Sequence, residues 1–169
     1  MINSEISIKY KTLLFIIVIN FILQSTILQS LKVFNVSANF TLVLVIVVTI
    51  IYGLEKGVFA AIFAGLFVDT YLSMAIGMNL FILVIIAVLI SIIGRPLFTG
   101  NKLTLVFMTA ISTTLYHLMY FFFMYFLNKG VSISDVMTKI VPTEIIYNSI
   151  VCVIVYHVSI RWIERHKLD

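Results

Sequence analysis

Charged residues make up only 11% of this 169-residue chain, against about 25% in an ordinary soluble domain. Apolar residues make up 62%. A soluble fold of this length leaves roughly a third of its surface in water and could not hide so much apolar area. A soluble enzyme or a nucleic-acid binder is therefore excluded, and a bilayer is the expected solvent. Cysteine is nearly absent: Cys152 stands alone, so no internal disulfide can form and no Cys-based metal site is expected. It lies in an apolar run and reads as a small packed residue. Catalytic signatures are missing too. There is no G-x-S-x-G, H-E-x-x-H, Walker A or G-x-G-x-x-G, and no nucleophile and base pair that would suit an intramembrane enzyme. The chain has no tandem repeat, low-complexity tract or matching halves of the kind many transporters carry. No cofactor is expected.

What is present is a series of apolar runs. A spanning helix needs about 20 largely apolar residues. Six candidate spans follow, at residues 12–28, 37–52, 57–74, 78–93, 103–127 and 140–160. The second and fourth are short and must tilt or gain a turn. The first follows Lys9 and Lys11 but lacks a small-residue cleavage site, and five more runs come after it, so it reads as an uncleaved span. The connections are too short for a second folded unit, and residues 1–169 read as one all-α membrane domain. The net charge of +4 sets orientation rather than binding nucleic acid. With six spans, Lys9, Lys11, Lys56, Arg95, Lys102, Arg161, Arg165 and Lys167 fall on one side, and Lys32, Lys129 and Lys139 on the other. The positive-inside rule makes the first side cytoplasmic, with both termini there. The longest external segment is 128–139.

The third span carries small residues at four-residue spacing, Gly57, Ala61 and Gly65, and ends on Asp69. Ala60 and Ala64 widen the stripe. Helices associate in lipid where small residues let backbones approach, so this span should be buried and closely crossed. Three ionisable residues lie within spans. At 1.5 Å per residue, Asp69 is about 18 Å from the start of its span, His117 about 21 Å from the start of the fifth, and Glu144 about 6 Å into the sixth. All three fall in the outer half, near Asn39 and Asn79. Buried polar groups there are functional candidates by default. An outward polar layer built by spans three, five and six is the expectation. Each member also has a structural reading. Asp69 could cap the turn over residues 72–77. Glu144, after Pro142 and Thr143, is an ordinary first-turn acid. His117, between Tyr116 and Tyr120, could be a satisfied interior histidine. Arg95 and Pro96 after Gly94 read as a helix stop. Arg161, Trp162, Arg165 and Lys167 form an interfacial anchor.

One stretch goes further. Gly65, Asp69, Gly77 and Asn79 make the pattern G-x-x-x-D-x7-G-x-N. It resembles the rod shape-determining protein MreD family, which shows this pattern between two central spans. Gly53, Gly57, Asn39, and Pro142 followed by Tyr147 and Asn148 are similar to family positions as well. Ala38 stands where the family often has proline, and Leu72 to Ala75 departs from the usual turn. The resemblance implies a non-enzymatic component of the cell-elongation machinery. Its implied partners are MreC and, indirectly, the MreB filament, RodA and a penicillin-binding transpeptidase. It also implies a fold similar to the S component of energy-coupling-factor transporters. A true S component, a vitamin or metal binder, is the rival reading. Such proteins often present an Ala-x-x-x-Ala docking face in the first span, and Thr12 to Asn20 here has no small-residue face.

Overall fold

The computed structural model describes residues 8–30, 36–72, 76–98, 100–127 and 136–166. Lys32, Lys129, Lys167, the 72–77 turn at Ser73, Met74 and Ala75, and the external segment up to residue 135 lie outside the described residues. The described residues form six principal helices: α1 (Tyr10–Ser30), α2 (Phe40–Tyr52), α3 (Leu54–Leu72), α4 (Met78–Leu89), α5 (Lys102–Phe126) and α6 (Val141–His166). Successive helices run in alternating directions. One end of the bundle gathers Lys9, Lys11, Lys56, Arg95, Lys102, Arg161 and Arg165, and the other gathers Asn39, Asp69, Asn79 and Glu144, with Lys139 just before the last helix. Three helices are long and apolar enough to cross a membrane: Met78–Leu97, Lys102–Phe126 and Val141–Arg165. Shorter apolar helices accompany them.

The bundle is built around α2. Its sequence is apolar on every side, and such a helix must be sheathed by others. Residues Thr41 through Ile51 are all buried, and α2 touches each of the other five helices. At 13 residues it is about 20 Å long, too short to cross a hydrocarbon core of about 30 Å alone. Its neighbours must therefore complete it at both ends. Leu42, Ile46 and Ile50 sit at full burial with Ile82, Leu83 and Ile86 of α4, Leu105 of α5 and Cys152 of α6 in one core. Leu13 and Ile17 of α1 join Leu44, Val48, Ala60 and Ala64 in a second. The outward faces stay apolar. Ile146, Ile150, Ile154, Val158 and Trp162 form an exposed ridge along α6, as a hydrocarbon-facing surface requires.

Two tight hairpins set the register. Gly53 alone separates α2 from α3, with φ of 86°, a left-handed conformation that only glycine adopts without strain. Its N–H bonds the Thr49 carbonyl at 2.9 Å. The Arg95 guanidinium lies over this turn, placing a cation at the negative end of the α2 dipole. The small-residue stripe of α3 then divides between two partners. Gly57 lies on Thr49 of α2, where an added methyl would come within 3.1 Å of the Thr49 Cα. Gly65 lies on α4, where it would come within 2.8 Å of the Leu80 amide nitrogen. Ala60 and Ala61 are fully buried between them. α3 and α4 make the most extensive contact in the bundle, because nothing larger than hydrogen separates the backbones at Gly65.

The reading of Gly94 as a helix stop is corrected. α4 does not end there: it widens into a π-turn at Ile90–Gly94 and continues through Arg95–Leu97. Pro96 stands in the first turn of the resumed helix, where a missing N–H costs least. The π-turn absorbs the register change that proline would otherwise force. The 20-residue Met78–Leu97 helix is thus longer than the expected span.

A side chain at Gly65 must separate α3 from α4. Gly65→Ala is expected to cost about 1–3 kcal/mol through overpacking, lowering the melting temperature in detergent by about 5 °C. Gly65→Leu should not yield a folded protein. A Gly65→Leu variant melting at the wild-type temperature would refute the close crossing.

Candidate functional site

At the polar end, α2 and α4 begin among buried neighbours, and their first N–H groups need acceptors. α4 is supplied by α3. Asp69 is 2% exposed, and its Oδ2 accepts from the Gly77 and Leu80 amides at 3.0 Å each. Its Oδ1 accepts from the Asn79 amide at 3.0 Å and the Asn79 side-chain nitrogen at 2.9 Å. Four donors fill the carboxylate. Gly77 has φ of 93°, which turns its N–H back toward Asp69. The G-x-x-x-D-x7-G-x-N pattern is thereby one physical unit. Gly65 brings α4 close, Asp69 bonds its first turn, Gly77 supplies the turn and Asn79 adds a side-chain donor.

α2 is supplied from three directions. The Asn39 side chain caps it by accepting from the Leu42 amide at 3.0 Å. Asn148 of α6 accepts from the Asn39 amide at 2.7 Å. Gln24 of α1 accepts from the Phe40 amide at 2.8 Å. One turn earlier on α1, Asn20 donates to the Phe40 carbonyl at 3.1 Å.

The third cluster joins α5 to α6. His117 Nε2 and Glu144 Oε2 share a hydrogen bond of 2.6 Å, and Glu144 is buried. Asn148 donates to Glu144 Oε1 at 3.2 Å and to Thr113 Oγ1 at 3.1 Å. Asp69 is not in contact with this pair. One string of hydrogen bonds runs from Asp69 to Asn79 and the Tyr116 hydroxyl, and a second runs from Asn39 through Asn148 to Glu144 and His117. Asn39, Asn79 and Tyr116 line one cavity, so the structure brings Asn39, Asp69, Asn79, His117 and Glu144 into one polar layer made of two adjoining strings. Gly57 and Ala61 lie toward the other end and serve the α2–α3 contact.

The polar layer is wider than spans three, five and six, because α1, α2 and α4 enter it as well. Gln24 and Asn20 were missed by sequence reasoning, and Asn148 entered it only through the resemblance. Their four-residue spacings, 20 to 24 on α1 and 144 to 148 on α6, put each pair on one helix face and were the available signal. Among the described residues no three His, Cys, Asp or Glu side chains converge as a metal site would need. Chemically, the layer neutralises backbone and fixes helix ends. It presents no activated nucleophile.

A polar, hydrogen-bonded layer inside an all-helical bundle with apolar outer faces defines an integral membrane protein. Residues 6–163 match the family of the rod shape-determining protein MreD, and the chain belongs to that family. Rod shape determination is the role the family carries. No curated protein and no solved structure matches the chain.

Two measurements test the layer. Asp69→Ala leaves at least three buried N–H groups without acceptors. It should cost about 3–5 kcal/mol and appear as loss of folded protein in membranes, with Asp69→Asn intermediate. Wild-type abundance of Asp69→Ala would exclude the bridging role. A double-mutant cycle on His117→Gln and Glu144→Gln should give a coupling energy of about 1–3 kcal/mol. Additive effects would mean the pair contributes no shared stabilisation.

Proposed function

We propose that this protein is a non-enzymatic scaffold of the bacterial cell-elongation complex. All six helices cross the cytoplasmic membrane, with both termini in the cytoplasm and the polar layer in the outer half. The bundle holds the single span of MreC and its adjoining segment, and through MreC it helps control lateral peptidoglycan synthesis by RodA and its penicillin-binding transpeptidase. MreB is engaged indirectly. The fold is similar to that of energy-coupling-factor S components.

The observation that carries this reading is the saturated Asp69. A carboxylate that accepts four internal N–H bonds has no capacity left for a substrate, a metal or a transferred proton. Its work is to hold two helices at fixed register, which is what a scaffold needs. The basic end, with Lys56 over the Tyr10 ring at 3.0 Å and Tyr10 bonded to Glu55, suits a cytoplasmic interface. The apolar ridges leave surface for a partner span.

The test is gentle purification from native membranes through a C-terminal tag, with mass spectrometry of what accompanies the chain. Recovery of a coiled-coil MreC and cell-wall synthases is expected. Recovery of transport ATPase subunits in their place would overturn the scaffold and make the protein an S component.

A further inference from the structure

Beside the hydrogen-bonded layer lies a cavity of about 170 Å³. Five helices wall it. Gln24 comes from α1, Asn39 and Thr41 from α2, Asn79 from α4, and Tyr116 and Tyr120 from α5, with Val68 of α3 closing one side. The volume is that of about five or six liquid waters. The lining is polar and the space is partly open, so water can enter it and hydrogen-bond to the lining. Asn79 and the Tyr116 hydroxyl bond each other, and the Asn39 side-chain oxygen is spent on the Leu42 amide. The Gln24 side-chain nitrogen and the Tyr120 hydroxyl belong to half-buried residues and have no hydrogen-bond partner among the described residues. Both stand at the wall of the cavity.

From this geometry we infer that the cavity is an aqueous binding vestibule at the polar end of the bundle, for a small uncharged hydrogen-bonding solute of hydroxyl or amide type. The lining carries no formal charge. Tyr116 and Tyr120, stacked at 6.2 Å, offer a flat aromatic wall of the kind a polar ring can lie against. An anion is disfavoured, because Asp69 and Glu144 are the nearest charged groups in the network. A cation finds no carboxylate facing the space, because Asp69 is filled by amides. Of the other concavities, the groove between α4 and α5 at Ile90 to Leu97 and the one beside Phe81 and Phe126 are apolar and are consistent with a surface covered by hydrocarbon.

The inference uses the proposed orientation only to say which face the vestibule opens to, and the experiment separates the two. Cys152 is buried and can be replaced by alanine. Thr41→Cys and Val68→Cys are then placed in the cavity wall, and Ile146→Cys, at comparable height on the exposed apolar ridge of α6, is the control. Methanethiosulfonates react with the thiolate, which forms in water and not in hydrocarbon. Uncharged hydroxyethyl methanethiosulfonate added outside intact cells should modify positions 41 and 68 at least about tenfold faster than position 146. The sulfonate reagent should be slower than the uncharged one at both cavity positions. Equal rates at 41, 68 and 146 would overturn the vestibule. Sulfonate modification as fast as the uncharged reagent would overturn the solute class. Fast modification only in inverted vesicles would leave the vestibule standing and reverse the orientation. Two cavity positions are used so that a folding defect in one variant does not decide the result.

Discussion

A helix that ends inside a low-dielectric bundle exposes N–H groups that water cannot reach, and each must find an acceptor on the chain itself. This constraint organises the polar end of the molecule. α2 and α4 both begin at this end of the bundle, and side chains of other helices reach their first N–H groups. The chain meets them with side-chain oxygens from outside each helix: Asp69 for α4, Gln24 and Asn148 for α2, with Asn39 as the local cap. Every one of these bonds ties one helix to another or closes a turn. The same groups that remove the backbone penalty therefore also fix the relative height of α1, α2, α3, α4 and α6.

The opposite end obeys a different rule. There the chain is held by close approach and by cations. Gly53 closes the α2–α3 hairpin in one residue, Gly57 lies on Thr49, and Arg95 sits over the hairpin. No comparable layer of side-chain amides forms at this end among the described residues. Lys9, Lys11, Lys56, Lys102, Arg161 and Arg165 can reach water or lipid phosphate from there. The asymmetry between an amide-rich end and a basic end is what gives the bundle a direction.

Much of this was legible in the sequence, for identifiable reasons. Long apolar runs in a chain with so few charges predict helices, and the all-helical fold follows. The small-residue stripe Gly57, Ala61 and Gly65 predicted a close crossing because small residues let backbones approach in lipid, and Asp69 and Asn79 stood out because polar side chains there are costly unless paired. The Glu144–His117 contact could not be read, since depth along a helix says nothing about its rotation, and both residues also fitted ordinary local roles. Gln24 and Asn20 were passed over because neutral amides are common enough not to signal. The π-turn was hidden because Gly94-Arg95-Pro96 carries every mark of a helix end. Only packing against Met108 at Gly94 and against the Gly53 turn at Arg95 makes continuation the better solution.

Saturation is what separates positioning from binding at the polar end. A side chain whose hydrogen-bonding capacity is exhausted inside the fold contributes rigidity. One with capacity left over, facing open space, contributes affinity for something else. Asp69, Asn79 and Asn148 belong to the first group, and together they lock the register on which any surface for a partner span depends. Gln24 and Tyr120 belong to the second. They come from α1 and α5 and line the same cavity, so a solute that bonded both would bridge the two helices. Occupancy would then add a direct tie between α1 and the rest of the polar layer. That tie matters because α1 is the helix held by the fewest buried side chains, chiefly Leu13 and Ile17 near the basic end.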